Sequence, residues 1–348
     1  MTRICKPPDR RRVAGLLFCV TLAAACSSTP LDAAPPTISP AKPADSPPPA
    51  ARPAGVVWPL GGHPQAAMFD AGTSRLAVLS PGPGPTAPAA ITLFAAGQPP
   101  RAVTLPGPAT AFTGDDRGTA YVSARGGYFV VDLAAGHATR IDIAGAHGSE
   151  FTAIARRADG KLVVGSADGA VYLLDRPTGA TAAVAKPSKT FARVDSIVTQ
   201  GNTAVILDRG QTSVTAVGRD GNAEQALRAG LGATTMTADP VGRVLVADTR
   251  GGQLLVFGVD PLILRQAYPV RQAPYGVAGS RELAWVSQTA TNMVIGYDLG
   301  TGIPVEKVRY PTVRQPNWLA FDDASGTLYV VSGSGDGVQM IEHAAGGR

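Results

Sequence analysis

The feature that most constrains this sequence is a unit of about forty residues that recurs seven times between residues 56 and 343. Each unit has one apolar anchor in its first predicted strand, and successive anchors lie 44, 42, 43, 39, 41 and 42 residues apart. A period of this length is typical of arrays in which each small unit packs against its neighbours. The anchors are Met68, Phe112, Ile154, Ile197, Met236, Val277 and Leu319.

Each unit reads as short apolar runs separated by turn residues. In the fifth unit, DPVGRVLVADTRGGQLLVF, Pro240 and Gly242 mark one turn and residues 248–252 mark the next. The β-branched run between them predicts a strand, and most units contain four such runs. The sequence therefore predicts an all-β protein. The second strands read RLAVLS, TAYVSA, KLVVGS, TAVILD, RVLVAD, ELAWVS and TLYVVS.

The arrangement that buries both faces of such four-stranded units is a ring. The pattern predicts a seven-bladed β-propeller at residues 56–343, with six or eight blades as the alternatives and residues 344–348 as a tail. The seventh unit has only three strands and ends near Ile341, whereas one extra strand, residues 56–60, precedes the first unit. We expect this N-terminal strand to complete the last blade and close the ring, which leaves no open sheet edge.

Residues 1–25 have the organisation of a secretory signal peptide. A basic segment, Arg3–Arg12, precedes a thirteen-residue apolar run, Val13–Ala25, which is too short to span a bilayer comfortably. The sequence LAAAC, ending at Cys26, resembles a bacterial lipobox, in which the cysteine is acylated and becomes the mature N-terminus. It departs from that pattern at Ala23, where Leu is commonest. The alternative is an ordinary signal peptide cleaved near residue 25.

The distribution of cysteine favours lipidation. Cys5 and Cys19 lie within the signal peptide, so Cys26 is the only cysteine left after cleavage. It can form no internal disulfide, and an unmodified exported thiol would be reactive. We therefore expect an exported protein that is lipid-anchored to the extracytoplasmic face of the cell membrane, with the membrane as one partner.

Residues 26–55 comprise the lipidated cysteine and a segment dominated by Pro, Ala and Ser. Such a segment buries too little apolar surface to offset its ordering entropy, and its prolines favour extended conformations. The sequence predicts a disordered tether between the membrane and the propeller.

The positive charge lies mainly in the signal peptide. Of the formal net charge of +5, residues 1–25 carry +4 and the rest of the chain +1. A nearly neutral domain without a basic run has no electrostatic basis for binding nucleic acid. We therefore expect no nucleic-acid partner.

The sequence contains no recognisable catalytic motif. The four histidines, His63, His137, His147 and His343, are not spaced as metal ligands, and there is no GxSxG, GxGxxG or DxDxDG motif. We predict no catalytic residue, no metal and no cofactor.

One polar pattern follows from aligning the units. Six of the seven residues two positions before the anchors are polar, in strands that are otherwise apolar. Since first strands line the axial channel of a propeller, these residues should surround one mouth. The simplest interpretation is a hydrated tunnel. The functional one is a ligand site formed by Arg193, Asp195, Tyr275, Asn317 and Trp318. The aligned residues are Ala66, Thr110, Thr152, Asp195, Thr234, Tyr275 and Asn317.

The repeats resemble a known family. The units ADPVGRVLVADTRGGQLLVF, GSRELAWVSQTATNMVIGYDLGTG and FDDASGTLYVVSGSGDGVQMIE are similar to YncE-like and NHL-type seven-bladed propellers, including the DLGTG turn near Asp298. WD40 repeats fit less well, since no unit ends in Trp-Asp. With the lipobox, the whole chain resembles propeller lipoproteins of actinobacterial, in particular mycobacterial, cell envelopes. Such turn and strand motifs specify fold far more than activity.

Three functions remain open at this point. The first is a monomeric, non-catalytic module that binds an envelope protein, peptide or small molecule. The second is a metal-dependent hydrolase like the lactonases and gluconolactonases of related propellers, for which the axis offers only Asp195 and Asn317, with Glu150 nearby. The third, a quinone-dependent redox propeller, lacks the adjacent cysteines of that class. The sequence favours the first.

Overall fold

The structure is a computed structural model that describes residues 2, 36–175, 177, 179–182 and 187–346. The predicted signal peptide and Cys26 lie outside these residues. The described residues from 36 onward belong to one compact unit. Every regular element in them is a β-strand, so no helix that could cross a membrane is found there.

The described strands form seven sheets, which are the blades of a β-propeller. The first strand of each blade is innermost and the fourth is outermost. The strand β1 (Val56–Trp58) precedes blade one, which comprises β2 (Ala66–Asp70), β3 (Arg75–Ser80), β4 (Ala90–Phe94) and β5 (Arg101–Thr104). Blade two comprises β6 (Phe112–Gly114), β7 (Thr119–Ala124), β8 (Gly127–Asp132) and β9 (His137–Ile143). Blade three comprises β10 (Phe151–Arg156), β11 (Leu162–Ser166), β12 (Ala170–Leu174) and β14 (Ser188–Lys189), and β13 (Thr181–Ala182) lies between the last two in sequence.

The remaining four blades follow the same order. Blade four comprises β15 (Ser196–Gln200), β16 (Thr203–Asp208), β17 (Ser213–Val217) and β18 (Ala223–Arg228). Blade five comprises β19 (Ala233–Ala238), β20 (Arg243–Asp248), β21 (Gln253–Val259) and β22 (Leu262–Pro269). Blade six comprises β23 (Pro274–Gly279), β24 (Ala284–Gln288), β25 (Met293–Asp298) and β26 (Val305–Pro311). Blade seven contains β27 (Pro316–Asp322), β28 (Thr327–Ser332) and β29 (Val338–Ile341).

The N-terminal strand closes the ring, as the sequence predicts. Strand β1 pairs antiparallel with β29, with Val56 opposite Met340 and Trp58 opposite Val338. The innermost strands of blades one and seven are also in contact. The Trp58 ring stacks on Phe94 of blade one at 5.5 Å between centroids, which ties the closing strand to the neighbouring blade. All seven predicted anchors lie in innermost strands.

Blade three is the least regular. Its outermost strand, β14, has two residues. The preceding short strand, β13, pairs in parallel with β9 of blade two, which makes that sheet five-stranded. The repeat pattern predicts neither feature, because both depend on how a connecting segment packs between two blades.

The apolar core lies between adjacent blades. Val205, Leu207 and Val214 of blade four pack with Leu255 and Phe257 of blade five in one cluster. Equivalent clusters join the other blades, so each blade face is covered by its neighbour. Burial of both faces is the physical reason that the repeats assemble into a ring.

Part of the predicted tether packs on the propeller instead of extending away from it. Residues 37–47, here called the strap, run across the hairpins and connections at one face of blades four to seven. Ala41 and Ser46 are only 7% and 3% exposed. The composition of residues 26–55 predicts a disordered tether, whereas the structure places the strap against the propeller. Composition alone misses this packing, because the hydrogen-bond donors that hold the strap lie more than 160 residues away.

Candidate functional site

A cavity of about 550 Å³ runs along the axis of the propeller. Residues from the innermost strands of all seven blades line it. These strands run in the same direction, and we call the end where they begin the upper end. The strap lies on this face, because it contacts the connections that enter the innermost strands.

The seven residues aligned in the sequence analysis all line this cavity. All three threonines among them, however, form hydrogen bonds within the protein. The Thr110 hydroxyl donates to the Phe151 carbonyl oxygen at 2.6 Å, and that of Thr152 donates to the carbonyl of Val194. Each of these bonds joins one blade to the next. In Thr110 and Thr152 the polar group therefore stabilises the ring and is not free for a ligand.

Asp195 is the charged residue of the upper ring. Its Oδ2 accepts the Arg209 backbone amide at 2.8 Å, and its Oδ1 accepts Nε of Arg193 at 3.2 Å. Burial raises the pKa of the Asp195 carboxyl, although the Arg209 amide and the charges of both arginines oppose this effect. The carboxylate is thus held in place and partly desolvated at the cavity wall.

Three further predicted residues, from blades six and seven, line the same cavity. Tyr275 is buried and contacts Trp318 edge to face, with ring centroids 6.3 Å apart. The Trp318 indole donates its N–H to the Pro64 carbonyl at 2.8 Å, so the ring is fixed. Asn317 accepts a hydrogen bond through Oδ1 from Nε2 of Gln315 at 3.1 Å. Asp195, Tyr275, Asn317 and Trp318 all line the cavity, and together they offer a carboxylate, an amide and an aromatic wall.

Arg193 is placed differently. It is not among the cavity-lining residues, and its side chain is 45% exposed while paired with Asp195. The arginine that lines the cavity is Arg209, which sequence reasoning missed. Arg209 lies between Asp208 and Gly210, at the end of the second strand of its unit. This local sequence indicates only a turn. No local pattern brings it to the axis.

The lower end of the cavity carries a second carboxylate. Asp116 follows β6, lines the cavity, and has a positive φ of 57°. Burial and then the charge of Asp70 raise its pKa. Since Asp116 follows an innermost strand and Asp195 precedes one, the two acids lie at opposite ends. Among the described residues, no group of three or more His, Cys, Asp or Glu side chains is placed to hold a metal ion.

Comparison with known proteins identifies the fold but not a family. No family model and no curated protein matches the sequence. Many solved structures are similar. One is of the mitotic checkpoint complex, with 12% identity and a TM-score of 0.69, where the match covers 87% of this chain and 98% of the other. Virginiamycin B lyase from Staphylococcus aureus is 10% identical with a TM-score of 0.66, covering 82% and 98%.

A third similar structure is hydrazine synthase from Kuenenia stuttgartiensis, with 16% identity and a TM-score of 0.66, covering 84% of this chain and 98% of the other. The proteins named in these structures differ widely in what they do. At this level of identity the similarity establishes the fold alone. The chain is therefore a seven-bladed β-propeller whose structural neighbours include virginiamycin B lyase.

Proposed function

We propose that this chain is a lipid-anchored, extracytoplasmic propeller that acts as a non-catalytic binding module of the cell envelope. The observation that carries the proposal is that Asp195, Tyr275, Asn317 and Trp318 all line the upper end of a cavity of about 550 Å³. A concave site with an aromatic wall and a few fixed polar groups is typical of small-molecule and peptide sites. The ligand is a small polar molecule or a chain end.

Anchoring is supported by the sequence LAAAC and by the single cysteine that remains after cleavage. Wild-type protein should partition into the detergent phase, because two acyl chains hold a protein firmly on a membrane. Cys26→Ala should move it to the aqueous phase or leave an uncleaved precursor. Soluble mature protein without acyl mass would refute the anchor. The resemblance to actinobacterial lipoproteins leads us to place the protein in such an envelope.

The binding role is tested at the cavity. The probes are labelled short peptides, soluble peptidoglycan fragments and oligosaccharides, with affinity measured by fluorescence anisotropy. Asn317→Ala should abolish binding of any probe that binds wild type, whereas the thermal midpoint should change little. Arg193→Ala is expected to weaken binding, because Arg193 forms an ion pair with Asp195. A probe that binds both variants normally would place its site elsewhere.

A metal-dependent, lactonase-like hydrolase is the second candidate. It is favoured by one observation, the similarity of fold to an enzyme, virginiamycin B lyase. Divalent metal catalysis needs oxygen ligands that converge on one point, whereas Asp116 and Asp195 lie at opposite ends of the cavity. Metal content of the purified protein, together with lactone hydrolysis, distinguishes the two functions. Stoichiometric metal with activity lost in Asp195→Asn would favour the enzyme.

A further inference from the structure

The strap is held mainly through its backbone. Five of its carbonyl oxygens accept hydrogen bonds from side chains of the propeller, which belong to blades four to six and to the connection between blades six and seven. The donors, in strap order from Ser39 to Pro47, are Arg250, Arg209, Gln315, Arg314 and Asn292.

Gln315 binds the strap in both directions. Its Nε2 donates to the Ala44 carbonyl at 2.9 Å, and its Oε1 accepts the Ser46 amide at 3.0 Å. The Ser46 hydroxyl donates to the Thr289 carbonyl at 2.6 Å and accepts the Gln315 amide at 3.0 Å. This is the hydrogen-bond pattern by which a protein recognises an extended chain irrespective of most side chains.

The side chains of the strap divide into two groups. Ala41 and Ser46 point into the propeller, and the Ala41 methyl packs where residue 232 is glycine, since a Cβ at Gly232 would lie 3.0 Å from it. Lys42 and Asp45 are exposed. Specificity at the strap therefore rests partly on small residues at positions 41 and 46, and it tolerates change at the exposed Lys42 and Asp45.

Three of the eleven residues of the strap are prolines, and such a composition favours the extended polyproline conformation. Pro40, Pro43 and Pro47 have no amide hydrogen, and the hydrogen bonds that hold the strap do not use an amide hydrogen at these positions. Polyproline chains expose unpaired carbonyls and lose little entropy on binding. A row of guanidinium and amide donors matches those carbonyls, because these groups donate strongly to backbone oxygen.

We propose that this groove, formed by Arg209, Arg250, Asn292, Arg314 and Gln315, is a binding site for extended, proline-rich polypeptides, with the strap as its resident occupant. The groove adjoins the ligand site of the cavity, because Arg209 belongs to both, but no residue of the strap lines the cavity. A tethered occupant is present at an effective concentration of the order of millimolar. A polypeptide in trans therefore binds when the strap leaves the groove, or when that polypeptide itself presents several such segments.

The experiment uses the full chain with the strap released. One variant is Ala41→Arg with Ser46→Arg, which places large charged side chains at the two buried positions. A second replaces residues 37–47 by a Gly–Ser run of the same length. The probe is a fluorescent peptide of residues 36–48, PTISPAKPADSPP, and the readout is anisotropy.

Both released proteins should bind the peptide, whereas wild type should bind at least about tenfold more weakly, since its strap competes. Adding Asn292→Ala or Arg250→Ala to the Gly–Ser variant should weaken binding several-fold, because each removes one donor that does not line the cavity. A peptide with Lys42→Ala and Asp45→Ala is the matched control and should bind normally. A peptide with Pro40→Ala and Pro43→Ala should bind more weakly.

Two results overturn the proposal. The first is a folded Gly–Ser variant, with a thermal midpoint near that of wild type, that does not bind the peptide. The second is binding that is equal in wild type and released variants or is unaffected by Asn292→Ala and Arg250→Ala, which would place the peptide on another surface. Because these variants change neither Cys26 nor a residue that lines the cavity, the result can be distinguished from a failure of the proposed function.

Discussion

The middle strands of the blades and their innermost strands differ in what surrounds their side chains. In blade five, every residue of β20 and β21 except the first of each is buried between neighbouring blades. In blades one and two, most of β2 and all of β6 are only half-buried, because one side faces the axial cavity. In blades one and two the apolar burial therefore lies mainly in the middle strands, and the innermost strands have room for polar side chains that a ligand can reach.

The largest expected effect comes from uncovering a middle strand. A chain that begins at residue 61 lacks β1, so β29, which is fully buried, becomes an open edge. We expect aggregation or loss of the cooperative transition, since unpaired edges recruit other chains. A chain that begins at residue 54 keeps β1 and is the control; it should remain folded, although it lacks the strap.

If the two truncated chains unfold alike in thermal denaturation followed by circular dichroism, β1 does not stabilise the last blade.

The next effect compares one aromatic residue from each region. Phe257 is fully buried between blades four and five, whereas Phe112 is half-buried and lines the cavity. Phe257→Ala should lower the free energy of unfolding by about 3–5 kcal/mol, because it leaves a closed cavity. Phe112→Ala should cost about 1–2 kcal/mol, since part of that ring already meets water. Urea denaturation measures both, and equal losses would contradict the comparison.

A smaller effect distinguishes polar groups that join blades from those that only face the cavity. The Thr152 hydroxyl bonds to the Val194 carbonyl of the next blade. Thr152→Val should lower the free energy of unfolding by about 1–3 kcal/mol, because it leaves a buried acceptor unpaired. Thr113, which lines the cavity and is half-buried, supplies the control. Thr113→Val should change stability by less than about 0.5 kcal/mol.

The smallest effect is the pH dependence contributed by Asp195. Because its folded-state pKa is raised by burial, the folded protein binds this proton more tightly than the unfolded chain. Its contribution to stability is present below the unfolded pKa of about 3.9 and is lost as the pH rises through the folded pKa. The stability of wild type relative to Asp195→Asn should therefore fall over that range. A constant difference between the two proteins from pH 3 to 7 would show that burial does not shift this group.

Much of the architecture could be predicted because its causes are local. Strand runs such as RVLVAD and turns such as DPVG depend on neighbouring residues, and their recurrence gives the number of blades. The closure of the ring could also be predicted, because the seventh unit lacks a strand after Ile341 and an extra strand begins at residue 56. The polar positions of the innermost strands followed from alignment, so Asp195, Tyr275 and Asn317 were found at the cavity.

The tertiary structure decided which of those polar groups are free and what binds the segment before β1. The Thr110 hydroxyl could not be assigned from sequence, because its partner, the Phe151 carbonyl, lies 41 residues away. From sequence, Arg209 and Gln315 are predicted only as turn residues. In the folded protein they bind the strap residues Ala41 and Ala44, which lie 168 and 271 residues away in sequence. A repeating sequence determines the unit and the ring, because those depend on periodic burial; contacts between particular side chains of distant units depend on the assembled geometry alone.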